Sequence, residues 1–355
     1  MKKLLLLALV ILSANLKAQT IIVQAADGSN PRTFTSIDDA VANAIAGDYV
    51  YLEHGTYNIT STWKGYNGTG SIANFLVVEK PLHFVGNGYY YPAEATTVNG
   101  MFALRKSSSG STVTGIRFNN HIYLDSVSNV EITRCYNFNP STTCFINLCG
   151  KGTGNIITEC YIGDISGGTT MLAGGNGNNV SWSSYENTVV SKNIFWGGIH
   201  YNKNLFVTNN IFTPGGSSNV IANNDNLTIQ NNIFNGDGNN PINGSTTNST
   251  IKNNIMQLDY QQGATNTYQN NFVESIANTF VNFNSSGTGD YHLKPTSVGI
   301  LAGSDGTDIG IYGTATPFKE NRRTTYPWVT AFNIGSETNQ ASQLKVNATV
   351  EAQEK

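Results

Sequence analysis

The chain has 355 residues, a net charge of −3 and only 12% charged residues, about half the share usual in globular domains. Gly, Asn, Ser and Thr carry the polarity instead, a mixture poor in helix formers and rich in turn formers. No basic run is present, so a phosphate-tracking surface is excluded and nucleic acid is not an expected partner.

The chain opens MKKLLLLALVILSANLKAQT. Lys2 and Lys3 precede a short apolar run, and Ala18 offers a small residue before Gln19. This predicts a secretory signal peptide over 1–18 rather than a membrane span. Leu16 is large for its place three residues before the cut, which leaves the cleavage point open by a few residues. No Cys follows the run, so a lipid anchor there is not expected, nor is a transmembrane segment in the mature chain. The expected location is secreted, periplasmic or on the outer cell surface.

After a lead-in over 19–33 comes FTSIDDAVANAIAGDYVYLEHGTY. Ser36 predicts a helix cap, with Asp39 in the capping-box position. Ile37, Ala40, Val41, Ala44 and Ile45 then form one apolar face, and Gly47 ends the helix. This helix reads as a lid over a first coil whose edge would otherwise invite aggregation. Val50, Leu52 and Tyr57 begin the first strands.

Four strings then repeat: LFVTNNIFTP, LTIQNNIFNG, STIKNNIMQL and NTYQNNFVES. Aligned on the second Asn, eight rows are anchored at Ile116, Cys135, Cys160, Asn193, Asn210, Asn232, Asn254 and Asn271. Rows of roughly 20 residues fit one turn of a solenoid. Three residues before the anchor the column is apolar, from Val113 to Tyr268; two before, it is polar, from Thr114 to Gln269. That alternation marks strands. The column just before the anchor holds Arg134, Glu159 and Lys192 and is read as solvent-facing. The anchor column carries no charge. Rungs about 4.8 Å apart would let a buried amide bond the rungs above and below. The column after the anchor runs Arg117, Tyr136, Tyr161, Ile194, Ile211, Ile233, Ile255, Phe272. Two readings stay open for it. Either it points outward and is covered by the tail at 315–355 or by a partner, or the turn resets the phase and it is core.

The Asn ladder and the row length resemble the right-handed parallel β-helix of the pectin-lyase-like superfamily, over roughly Phe34 to Gly313. The resemblance implies an all-β solenoid over 34–313, with the short capping helix at its start. DYHLKPTSVGILAGSDGTDIGIYG resembles the closing coil of secreted bacterial members. A tail over 314–355 follows, in which YPWVTAFNIG and QLKVNATVEAQ read as a β-hairpin. Asp305-Gly306 and Asp308 read as a turn. No cofactor is implied, and calcium at that turn is the one ion left open.

The superfamily's enzymes need charged groups in a groove. Pectate lyases gather carboxylates around calcium and use an Arg or Lys base. Polygalacturonases carry grouped Asp residues and a Gly-His-Gly, and pectin esterases carry paired Asp residues. Gly-His-Gly and the esterase strings are absent, although Gly55-Thr56-Tyr57 echoes a short piece of the lead-in. Asp225 and Asp237 stand in turn-like surroundings. No catalytic residue carries over.

Arg134, Glu159 and Lys192 are the one charged constellation. They read either as a base with a cation for an acidic sugar, or as an alternating-sign ladder on an open surface. The long step between Cys160 and Asn193 predicts a loop leaving the stack between Gly163 and Ser184. Trp182, Tyr185, Trp196, His200 and Tyr201 cluster around it. They are candidates to stack on sugar rings, or else rings that pack the loop down. Cys135 and Cys160 occupy successive rungs and read as buried thiols rather than a bridge; for Cys144 and Cys149 pairing is open. Two functions remain: an exported, non-catalytic protein that binds glycans or cell-surface material or serves as a scaffold, and a polysaccharide lyase or glycoside hydrolase acting on acidic polysaccharide.

Overall fold

The computed structural model describes residues 19–66, 71–90, 94–137, 145–168, 183–213, 220–235, 241–258, 261–284, 289–320, 328–338 and 344–351. Three long sheets make the body: a 13-stranded sheet 1, a 10-stranded sheet 2 and an 8-stranded sheet 3. Neighbouring strands come from successive rungs. In sheet 1, Val113 pairs with Ile132, Ile132 with Ile157, and the column continues through Val190, Val207, Ile229 and Ile251 to Tyr268. In sheet 2, Ile194, Ile211, Ile233, Ile255 and Phe272 pair in turn. The chain is thus an all-β, right-handed parallel β-helix in the register that the repeat predicts.

The Asn-Asn pair divides two tasks. The first Asn turns the chain from sheet 1 into sheet 2 with a left-handed backbone: φ is 56° at Asn209, 57° at Asn231, 52° at Asn253 and 49° at Asn270. Asn tolerates this region better than other residues with a Cβ. The second Asn points inward and is fully buried at positions 193, 210, 232 and 254. Each Nδ2 donates to the Oδ1 of the rung below: Asn193 to Asn210 at 3.1 Å, then Asn210 to Asn232, Asn232 to Asn254 and Asn254 to Asn271, each at 3.0 Å. The same Nδ2 groups also donate to backbone carbonyls, those of Val190, Val207 and Ile229 among them. Each buried amide is therefore satisfied, which is what lets it stay inside. Above them Cys160 N donates to Asn193 Oδ1 at 2.9 Å. Cys135 and Cys160 are free, buried thiols, as is Cys149; Cys144 lies outside the described residues. Burial pushes the Cys160 thiol well up and the Cys149 thiol up to about 12. Thiols held protonated in this way are unreactive. Two positions after the anchor, Phe195, Phe212 and Phe234 stack inside at centroid spacings of 4.6 and 4.8 Å.

The first rung is capped at sheet 1. Ile21–Gln24 pairs antiparallel with both Arg32–Phe34 and Tyr49–Leu52. The helix runs Ile37–Asn43, with Ser36 Oγ accepting from Asp39 N at 3.3 Å. Its residues Ile37, Ala40 and Val41, with Ala44 after it, are buried, but Ile45 is 63% exposed. The apolar face is one residue shorter than expected because the helix stops at Asn43 and Ala44 is already extended. Ser36→Ala removes one cap hydrogen bond and is expected to lower stability by about 1 kcal/mol in urea titration.

In sheet 2 parallel pairing ends where Ile255 meets Phe272 and Met256 meets Val273. The described residues of 276–320 add no rung. They form a short antiparallel pair, Phe280–Asn282 with Asp290–Leu293, and then run back along the outside of sheet 2. There Phe280, Tyr291, Ile309, Ile311 and Phe318 close a second apolar core over Tyr161, Ile194, Ile211, Ile233 and Ile255. The column after the anchor therefore points outward, the phase is not reset, and the column is covered. The cover is mainly 276–313; of the described residues beyond 315 that cluster takes only Phe318. The left-handed turn residues pin this arm. Asn253 Nδ2 donates to Ala302 O, Asn231 Nδ2 to Ser304 Oγ, Asn209 Nδ2 to Gly310 O and Lys192 Nζ to Thr316 Oγ1, at 2.8 to 3.2 Å. As the arm numbers rise the rung numbers fall, so the arm climbs back toward the N-terminal rungs. Beyond it Trp328–Thr338 pairs antiparallel with Leu344–Glu351. No helix among the described residues is long and apolar enough to cross a membrane.

Candidate functional site

The turn column that was expected to be wet is not. Arg134 is 8% and Glu159 9% exposed, and Arg134 Nε meets Glu159 Oε2 at 2.6 Å. Lys192 is held by Thr316. Burial pulls the Lys192 pKa below its ordinary value, against the opposing pull of Glu159. The open charge ladder is thus corrected: the three side chains stand where the arm ends, and their charges are spent on one another and on the arm. Their left-handed backbone, φ 50°, 56° and 53°, carries no special meaning, because the Asn turns below them share it.

The aromatic cluster also separates. Trp182 lies outside the described residues. Tyr185 is fully buried. Its hydroxyl donates toward Leu124 O at 2.6 Å and lies 3.0 Å from Cys149 O, and burial drives its pKa up. It packs the core and offers no face to a sugar. Within the stretch between Gly163 and Ser184 where a loop was expected, Asp164–Gly168 is a strand of sheet 3 and Ser183 begins a strand of sheet 1; residues 169–182 lie outside the described residues. Trp196 and Tyr201 are half-buried at the turns into and out of sheet 3, and half-buried His200 lies in its strand Ile199–His200.

His200 faces two residues that the sequence pattern did not mark. Ser166 is its register partner in sheet 3, and Asp164 Oδ1 lies 3.6 Å from His200 Nε2. Chemically this is a nucleophile, a base and a carboxylate on one face. Yet 3.6 Å is too long for a hydrogen bond, and Asp164 Oδ1 already accepts from Gly198 N at 2.7 Å. No Ser166–His200 hydrogen bond is found among the described residues. Only the sheet register brings these three together; in sequence they are an unremarkable spacing.

The open face is the outside of sheet 1 with the corner that leads into it. Asn187, Asn204 and Asn226 turn that corner with φ of 51°, 63° and 56°. Asn226 Nδ2 donates to Asn204 Oδ1 at 2.8 Å. Beside this polar edge Ile156, Val189 and Phe206 pair rung to rung on the outer face; Ile156 and Phe206 are each 40% exposed. Glu186, Asn187, Asn204, Leu205, Phe206, Asn226 and Thr228 line a groove of about 370 Å³. Nearby Lys203 Nζ and Asp225 Oδ2 pair at 3.2 Å. Against the effect of burial, hydrogen bonds from Asn248, Lys203 and Thr247 hold the Asp225 carboxyl below the usual range. That leaves Glu186 as the groove's unpaired carboxylate. An aromatic face among amides and hydroxyls suits a ligand with apolar C–H faces and many hydroxyls.

Among the described residues no three His, Cys, Asp or Glu side chains come together to hold a metal ion. At the turn where calcium was left open, Asp305 Oδ1 accepts from Thr307 N and Oγ1, and Asp308 Oδ1 from Leu301 N; both shape the turn. The chain matches no known family model and no curated protein.

Proposed function

We propose that the chain is an exported, non-catalytic β-helix protein of the pectin-lyase-like type that binds glycan or cell-surface material through the groove on sheet 1, or displays that surface as a scaffold. One observation carries the reading: Phe206 stands exposed in a line of apolar side chains, edged by an Asn-rich turn column. Export rests on the signal-peptide pattern of residues 1–18. Sugar rings offer C–H faces to Phe206 and hydroxyls to Asn187, Asn204 and Asn226.

The test is a panel of polysaccharides and cell-wall material, scored for binding and for turnover. Phe206→Ala is expected to weaken binding about tenfold, the equivalent of 1.4 kcal/mol, and to leave the melting temperature unchanged because the ring is exposed. Wild-type affinity in that variant would remove the groove from consideration. A second reading, a lyase or hydrolase on acidic polysaccharide, draws on the Asp164, Ser166 and His200 face. Turnover that is lost in His200→Ala would favour it.

A further inference from the structure

Among the described residues no strand pairs with the C-terminal end of the helix, and we propose that two copies of this chain pair there, edge strand to edge strand about a two-fold axis. Thr267–Gln269 is the terminal strand of sheet 1 and Phe272–Val273 that of sheet 2. In the rungs above, the turn residue donates its N–H downward: Asn209 to Gln230 O, Asn231 to Lys252 O and Asn253 to Gln269 O, at 3.1 to 3.3 Å. The ladder residue does the same, Asn210 to Asn232 Oδ1 and Asn232 to Asn254 Oδ1 at 2.9 Å, and Asn254 to Asn271 Oδ1 at 3.1 Å. Asn270 and Asn271 hold these places in the last rung, and among the described residues no rung lies beneath them. The end is also partly apolar: Val273 is 56% and Leu258 36% exposed.

Three observations select a second copy as the occupant. At the opposite end the helix Ile37–Asn43 packs, and sheet 1 finishes on the three-residue strand Arg32–Phe34, which carries a charge and follows Pro31. Such an edge is protected, so head-to-tail stacking meets a blocked strand in sheet 1 and the uncharged edge is left to pair with its like. The stretch QQGATNTYQNNFV, residues 261–273, carries no charge and no Pro, whereas lone edge strands are usually protected by such residues. Glu274, the next residue, accepts from Thr279 Oγ1, Ser297 Oγ and Val298 N, contacts that turn its carboxylate toward the arm and away from the strand edge. Antiparallel pairing centred on Tyr268 places Thr267 opposite Gln269 of the copy, an isologous contact that closes at two. The competing occupant is this chain's own hairpin at 328–351. It leaves the arm beyond Phe318, near the Lys192 rung, four ladder steps or about 19 Å from the open end.

Sedimentation velocity of the purified full chain over a range of micromolar concentrations is expected to show a dimer. Thr267→Lys with Gln269→Lys, both at exposed outward positions, is expected to weaken it at least ~10-fold through like-charge repulsion across the axis, with an unchanged thermal melt. Thr267→Cys with Gln269→Cys is expected to yield a covalent dimer on mild oxidation. A monomer at every concentration with no cross-linking would overturn the proposal. So would a dimer that ignores the Lys pair, or one that is lost on removing 321–355 while tolerating the Lys pair.

Discussion

Asn232→Ala is expected to lower the unfolding free energy by about 4 kcal/mol, more than any other single-residue change argued for this chain. The side chain accepts from Asn210 N at 2.9 Å and Asn210 Nδ2 at 3.0 Å, and donates to Val207 O at 2.8 Å and Gln230 O at 2.9 Å. Truncation strips partners from groups on two rungs at zero exposure. A buried polar group left unsatisfied costs about 1–3 kcal/mol. Several of them, partly relieved by water entering the gap, give the stated size. Asn232→Cys is expected to cost less, since the chain itself places Cys135 and Cys160 in this column. Asn270→Gly is the control: it changes an exposed residue at φ 49°, a conformation that Gly adopts freely, and should shift stability by no more than about 1 kcal/mol. Urea unfolding followed by circular dichroism measures all three. A shift within about 1 kcal/mol for Asn232→Ala would mean that the ladder amides are not what holds the rungs.

The ladder was legible because stacking copies one environment into many rows. A column that must be inside in one rung must be inside in all, so Val113 through Tyr268 declare themselves by composition. The same copying exposed the apolar column from Tyr136 to Phe272, but left open whether it lies inside or points outward under a cover. What covers it was not legible. The arm at 276–318 has no repeat of its own and touches the helix only where it happens to pass. Its anchors are Asn209, Asn231 and Asn253, which in sequence look like turn residues and nothing more. Arg134 and Glu159 read as wet because charge alone does not show that they pair with each other from rung to rung. The functional face is harder still. Phe206 looks like one more residue of a strand, and only the three-sided coil decides that its side chain points away from the core. Ser166, His200 and Asp164 become neighbours through sheet register alone, across a stretch whose row length is irregular.

Removing residues 276–355 is expected to make the chain bind an apolar dye strongly and fall out of solution, while removing only 321–355 leaves it soluble. The shorter cut spares the described contacts of the arm. The longer one uncovers Ile194, Ile211, Ile233 and Ile255, each at most 1% exposed. At about 1.5–3 kcal/mol per buried side chain, these four give roughly 6–12 kcal/mol of apolar burial, an upper estimate. The anchoring hydrogen bonds contribute only about 1 kcal/mol each, so apolar contact more than hydrogen bonding holds the arm. That ranking is itself testable. Ile311→Asp places a charge in the second core, beside Phe318 and the Ile column, and should release the arm and raise dye binding. Asn231→Gly keeps the left-handed turn, loses two hydrogen bonds to Ser304, and should leave the arm docked. If the two substitutions have equal effects, polar anchoring matters as much as burial. If the chain without 276–355 stays soluble and dye-free, the outward column tolerates water, and the arm is an attachment to the helix rather than the cover its apolar face requires.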